Sequence, residues 1–345
     1  MEEKMYLIGM NASNDGQIIK EKYIKDSRRQ MEDLSINILF GRLMCDMGQW
    51  DQSQHFFERL LNNSNGYNED LAQVEYSLGE VLQWKGEWNE ARKYYDRAHE
   101  RIINVKPTPM TDLANILFNI GEILCLEGNQ RKYDEALDFY QRSLAIREKF
   151  HPFAYAGIAT VLNNIGLAAY GQRKHDEALN FYQRALTIRE KFDAHNHPNI
   201  VDSLINIANV LRDQEKFNEA IEFQERALMI REHNYPSDYV NITYNLSNIA
   251  DMQRWRDEHE LSLIYEQNCF LMRLKALPPD HEEIGHSLSN MGQIYENLQK
   301  PILALDYYQR ALAIYTICLP SSHYNLRIMQ LNIERLSEEL EIELD

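Results

Sequence analysis

The stretch NNIGLAAYGQRKHDEALNFYQRALTIREKF, residues 163–192, decides the fold. Its apolar and small residues recur every three or four positions in two blocks, the period of a helix with one buried face. Ile165, Gly166 and Ala169 share a face of the first block, and Ala178, Tyr182 and Ala185 stand at i, i+4 and i+7 in the second. Small residues at these places let two helices approach closely. Asp176 and Glu177 put negative charge at the start of the second helix, where the helix dipole favours it.

The pattern fills the chain. The small residues Gly41, Gly79, Gly121, Gly166, Ala208, Ala250 and Gly292 are 38, 42, 45, 42, 42 and 42 apart. A fixed period in this range marks a solenoid, in which each helix pair buries its apolar face on its neighbours and every copy extends one core. One elongated, all-α domain is therefore expected. The second copy repeats the theme with Gly86, Trp88, Ala91, Tyr95 and Ala98, and the seventh with Ala304, Tyr308 and Ala311.

On these residues the chain resembles the tetratricopeptide repeat (TPR) family. Its 42-residue copies, with NNIGLAAY, DEALNFYQRALTIRE and PPDHEE, resemble the TPR domain of kinesin light chains over roughly residues 36–320. The basic TPR unit has 34 residues, so each copy has room for about two more helical turns. The resemblance implies an α-solenoid, a right-handed superhelix of seven helix–turn–helix repeats over 31–320. It is preceded by a poorly ordered segment with a short helix at 1–30 and followed by a capping helix and acidic tail at 321–345. Three extra residues near GNQRKY, 128–133, imply a protruding turn in the third repeat. Ser262 and Cys269, where other copies have alanine, imply a slightly looser sixth.

Composition narrows the function. With 36 basic and 53 acidic residues the net charge is −17, which argues against nucleic acid or an anionic membrane surface as partner. No run approaches the roughly 20 apolar residues of a membrane span. Cys45, Cys125, Cys269 and Cys318 form no CxxC pair, and MEEK is no signal peptide, so a reducing, cytoplasmic setting is expected. No P-loop, GxGxxG, HExxH or GxSxG motif is present, so neither enzyme activity nor a cofactor is expected. Asp193, His195 and His197 have metal-ligand chemistry, but His281 and His323 recur in comparable linkers, which favours linker hydrogen bonding over a metal.

Two residues before the small residue, five of seven copies carry asparagine: Asn119, Asn164, Asn206, Asn248 and Asn290. Asparagine disfavours helix interiors because its amide competes for backbone hydrogen bonds, so the column needs a reason. In TPR arrays the first helices line the concave groove, and amides there have the donors and acceptor to hold a peptide backbone. The same amides could instead bridge adjacent repeats. The peptide-binding set is completed by Tyr170, Asn209, Arg212, Tyr244 and Arg254. Nearby positions add Tyr76, Phe118, Trp84, Trp255 and Arg42, opposed by Asp46, Glu80, Glu122, Asp202, Asp213, Asp251 and Glu296. This mixed, slightly acidic face fits a protein or peptide ligand that is not strongly acidic. Kinesin light chains bind the motor heavy chain through a heptad segment, and no heptads run here, so motor attachment is not expected. The expected function is a non-enzymatic adaptor or scaffold. The alternative is the recognition or regulatory part of a signalling system whose catalytic domain, such as an ADP-ribosyltransferase or NTPase, is absent or on another chain.

Overall fold

A computed structural model describes residues 36–63, 68–128, 130–192 and 198–344. Every described element of regular structure is an α-helix. The chain divides into two compact units, Met1–Ala154 and Tyr155–Asp345, where the even period led us to expect one domain. A period fixes what each repeat is; it does not fix how contacts are shared among repeats.

The first unit contains three helix pairs: α1 (Ile36–Asp46) with α2 (Trp50–Asn63), α3 (Asn68–Trp84) with α4 (Trp88–Ile102), and α5 (Met110–Leu126) with α6 (Gln130–Phe150). The second contains four: α7 (Tyr155–Gly171) with α8 (His175–Phe192), α9 (Pro198–Asp213) with α10 (Phe217–Asn234), α11 (Tyr239–Trp255) with α12 (His259–Ala276), and α13 (Glu282–Asn297) with α14 (Pro301–Cys318). A last helix, α15 (Tyr324–Leu344), packs on α14. Within each unit a first helix packs on its own second helix, and that one packs on the next first helix.

The small residue of each first helix has a defined opposite number sixteen residues on, or nineteen in the third repeat. Phe57, Tyr95, Tyr140, Tyr182 and Tyr308 lie with their rings on Gly41, Gly79, Gly121, Gly166 and Gly292. A Cβ built on Gly166 would stand 2.8 Å from the Tyr182 ring, and one on Gly121 would stand 2.6 Å from Tyr140. Glycine in a helix costs about 1 kcal/mol relative to alanine. Burying a ring of this size contributes about 2–3 kcal/mol, so the exchange favours the glycine. Where the small residue is Ala208 or Ala250, the opposite residue is Gln224 or Glu266. Both are buried, at 1% exposure each.

Each helix pair turns on a residue in the left-handed region, seven positions after the small residue. The first unit uses Gly48, Gly86 and Gly128, at φ 74°, 77° and 67°. The second uses Arg173, Glu215, Asp257 and Gln299, at φ 57–61°, each at a cost of about 1–2 kcal/mol. The three extra residues of the third repeat do not make a protruding turn. They are absorbed by α6, which has 21 residues against 18 in α8, because QRKYDE is compatible with helix and Arg131 pairs with Glu135 one turn on, at 3.3 Å. Asn129 lies outside the described residues. In the sixth repeat Ser262 donates to the Ala250 carbonyl at 2.7 Å and the Cys269 thiol donates to Thr243 O at 3.5 Å, so both buried groups are satisfied.

A buried arginine closes the last turn of three second helices in the second unit. Arg189, Arg231 and Arg273, 42 residues apart, reach the next first helix. Arg189 donates to Asn199 O at 2.7 Å and Ser203 Oγ at 2.6 Å; Arg273 donates to Glu283 O at 3.1 Å and Ser287 Oγ at 2.7 Å. Arg231 bonds Asn241 O at 3.1 Å and the Asn245 carboxamide oxygen. A cation at a helix C-terminus also meets the favourable end of the dipole. In α14 the position is Tyr315, buried with Met329 of α15 in one apolar cluster. α15 keeps first-helix register, with Leu326, Met329 and Leu336 buried. Its counterpart of the small residue is the exposed Glu334, as suits an outer face turned to solvent.

Two outcomes follow. Gly166→Ala should destabilise the second unit by about 1–3 kcal/mol through overpacking on the fully buried Tyr182, and Ala178→Leu by a similar amount; chemical denaturation giving unchanged midpoints for both would refute the ring-on-glycine packing. Burial raises the Glu266 pKa, opposed by hydrogen bonds from Ser287 and Asn290 and by the Arg273 charge. The folded state therefore holds this proton more tightly than the unfolded state, whose carboxyl titrates near 4.3. Stability is lost as pH rises through the folded pKa. Glu266→Gln should gain on the parent in melting temperature as pH rises from the unfolded value of about 4.3 through the raised folded pKa, and a difference that does not change with pH would contradict the assignment.

Candidate functional site

The asparagine column falls on the first helices, but its members are engaged differently. In the first unit Asn119 of α5 donates to the hydroxyls of Tyr76, at 3.2 Å, and Tyr95, at 3.1 Å. It thus ties α5 to both helices of the preceding pair. In the second unit Asn206 donates to Asn163 Oδ1 across to α7 at 3.2 Å, and Asn290 donates to Glu266 of α12 at 3.3 Å. Asn164 bonds within its own helix, to Thr160 O at 3.1 Å. The Asn248 Nδ2 is buried with no protein acceptor. The register explains this: Asn119 finds Tyr95 twenty-four residues back, whereas Asn248 would find Gln224, whose Oε1 already accepts from Asn245 at 2.5 Å.

The remaining predicted residues of the second unit form pairs along the same face. Tyr170 of α7 donates to Asp213 of α9 at 2.5 Å; burial and this carboxylate push the phenol up to about 12. Arg212 bonds the other Asp213 oxygen at 3.0 Å and Asn209 at 3.4 Å. Arg254 pairs with Asp251 one turn back at 2.8 Å. Tyr244 and Trp255 are left about half exposed, at 47% and 49%. Glu296 takes Tyr308 at 3.1 Å and Arg335 of α15 at 2.7 Å. The arginines of this face therefore carry their own carboxylate partners.

In the first unit Arg42 pairs with Glu80 at 3.1 Å, and its guanidinium lies 5.9 Å from the centre of the Tyr76 ring. Gln83 joins Tyr95, whose hydroxyl donates to it at 2.8 Å, to Glu122, to which it donates at 3.3 Å. Burial raises the pKa of both Glu80 and Glu122; Arg42 opposes the shift at Glu80, and Gln83 opposes it at Glu122. Phe118 is not a free contact, since its ring packs 5.6 Å from Tyr140.

Sequence reading had no signal for the Tyr170–Asp213 and Arg335–Glu296 pairs, which join residues about 40 apart. The arginine column was legible as the recurring REK, REH and MRL phrases at a spacing of 42. Asp193, His195 and His197 lie outside the described residues. The other linker histidines do what a linker role requires: His281 Nδ1 accepts from Glu283 N at 3.2 Å, and His323 Nδ1 from Asn325 N at 3.3 Å. Among the described residues no helix is long and apolar enough to cross a membrane.

The fold matches solved structures at low identity. The apo form of the quorum sensor NprR from B. thuringiensis superposes with a TM-score of 0.61 at 13% identity, covering 90% of this chain and 81% of that one. The apo form of RapI gives 0.54 at 15%, covering 81% and 96%. Nearly identical TPR-like repeats attributed to a kinesin light chain of Podosopora anserina give 0.53 at 15%, covering 58% and 95%. No curated protein matches the sequence. The tetratricopeptide repeat model matches residues 70–149, 157–233 and 239–317, and with most of its length so matched the chain belongs to the tetratricopeptide repeat family.

Proposed function

We propose that the chain is a non-enzymatic interaction module whose first-helix face binds an extended or helical segment of a partner protein. The observation that carries this reading is the second unit's face. Tyr244 and Trp255 stand half exposed beside the Asp251–Arg254 pair, so rigid aromatic surface is available between polar groups that already have partners. Aromatic anchors of this kind dominate protein recognition. Because Arg212 and Arg254 are held by Asp213 and Asp251, a strongly acidic ligand would have to displace a carboxylate to reach them. The partner segment is accordingly not strongly acidic, and nucleic acid fits the net charge of −17 poorly. A reducing, cytoplasmic setting agrees with four free cysteines.

Peptides selected from a random-sequence display library against the full chain provide the test. Changing Asn164, Asn206 and Asn248 together to alanine should weaken their binding by about 0.5–1.5 kcal/mol, the value of one hydrogen bond, because Asn164 and Asn206 already give their donors to Thr160 and Asn163 and the Asn248 donor is buried. Asn248→Ala alone should leave the melting temperature unchanged or higher, since it removes a buried donor without a protein acceptor. Asn206→Ala should lower it through the lost bond to Asn163. Affinity intact in the triple variant, with stability reduced, would make the column structural and remove it from the site.

A further inference from the structure

The first unit leaves a different surface. Three of the chain's four tryptophans, Trp50, Trp84 and Trp88, flank its helix turns, and Trp84, the last residue of α3, is 71% exposed. A large aromatic in this state is costly to keep in water and is the type of residue that anchors interfaces. Trp84 lies one helical turn beyond Glu80 and so shares its face. Asp46 occupies the matching repeat position on α1, and Glu122 is tied to Gln83, the residue preceding Trp84, at 3.3 Å.

The charges on the same helix end and its neighbours do not balance. Arg42 is engaged by Glu80. Lys85 is engaged by both Asp51, at 2.9 Å, and Glu87, at 3.0 Å, and by Gln54 at 2.6 Å. Among the groups that these bonds join, the carboxylates Asp51, Glu80, Glu87 and Glu122 outnumber the cations Arg42 and Lys85. Burial raises the pKa of Glu80 and Glu122, so an added positive charge would favour the ionised form of both. A tryptophan face and surplus carboxylate are the two groups that attract a primary ammonium or guanidinium.

We propose that the Trp84 surface is a docking site for a lysine or arginine side chain of a partner segment. The inference rests on the reading of the first-helix face as a protein-binding surface and adds the chemistry of one contact. The cation lies over the exposed indole and within reach of the Glu80 and Glu122 carboxylates. Its backbone runs along the face.

The test uses the full chain with three capped tetrapeptides, tetra-lysine, tetra-glutamate and tetra-serine, followed by calorimetry and tryptophan emission. Tetra-lysine should bind best, and Trp84→Ala should weaken it by about two- to fivefold, with Trp84→Phe intermediate. Because Trp84 is exposed, both variants should fold, which circular dichroism checks. Glu80→Gln with Glu122→Gln should reduce the salt dependence of tetra-lysine binding. Tetra-lysine affinity indifferent to Trp84→Ala would show only general attraction to an acidic chain and overturn the proposal. So would emission from Trp84 that shifts when Lys20, Lys22, Lys25, Arg28 and Arg29 are changed to serine, since the occupant would then be this chain's own basic stretch. If library-selected peptides still depend on Asn164, Asn206 and Asn248 while tetra-lysine ignores Trp84, this inference falls and the proposed function stands. If neither class of peptide binds, both fall.

Discussion

A tyrosine or phenylalanine ring packed against the bare Cα of a glycine is the contact on which most of the helix pairs are built. The glycine sacrifices helix propensity, on the order of 1 kcal/mol, and gains an approach that no side chain would permit; the ring gives back more by leaving water. Five of the seven pairs use it. Once the ring is seated, the spacing of the two helices is set, and with it the place of every residue on the outward faces. The Tyr95 and Tyr308 hydroxyls extend the effect, because each ends in a hydrogen bond with the polar face of a first helix.

The fifth and sixth pairs depart from this rule together at both ends of the contact. Alanine replaces glycine, and Gln224 and Glu266 replace the ring. A buried amide and a buried carboxyl need partners, and the surroundings supply them: Asn245 for Gln224, and Asn290 and Ser247 for Glu266. Arg231 and Arg273 lie on the same networks through Asn245 and Ser287. Polar cores of this kind gain little stability compared with an apolar contact, since each group must be stripped of water before it is paired. Their value lies in direction. An aromatic ring tolerates small slips, whereas a hydrogen-bonded amide holds one register.

These networks also decide what the first-helix face has left to offer. Amides and arginines that face outward are mostly committed, either to neighbouring repeats or within their own helix, and a ligand must either compete with those bonds or use what is unclaimed. The least claimed groups are aromatic: Tyr244 in the second unit, beside a Trp255 that keeps one side on Phe217 at 5.5 Å, and Trp84 in the first. Recognition built on such surface gains its energy from ring burial and takes its orientation from the polar pairs around it.

The sequence by itself determined the repeat, because a 42-residue period carried by small and aromatic residues leaves no other way to bury two amphipathic faces. It showed which residues enter the core: Ile165, Gly166, Ala169, Ala178, Tyr182 and Ala185 are all buried. It also placed the asparagines on the first helices, since a helix fixes which positions share a face. Tertiary structure alone decided whom each side chain touches. Asn119, Asn206 and Asn248 are identical in sequence register, yet one bonds two tyrosines, one bonds an asparagine and one finds no protein acceptor. The difference lies in residues 24 or 43 positions away, and periodicity carries no information about what stands opposite. The protruding turn expected at 128–133 failed for a related reason: an insertion follows whatever conformation its residues can continue, and here the neighbouring helix could absorb them.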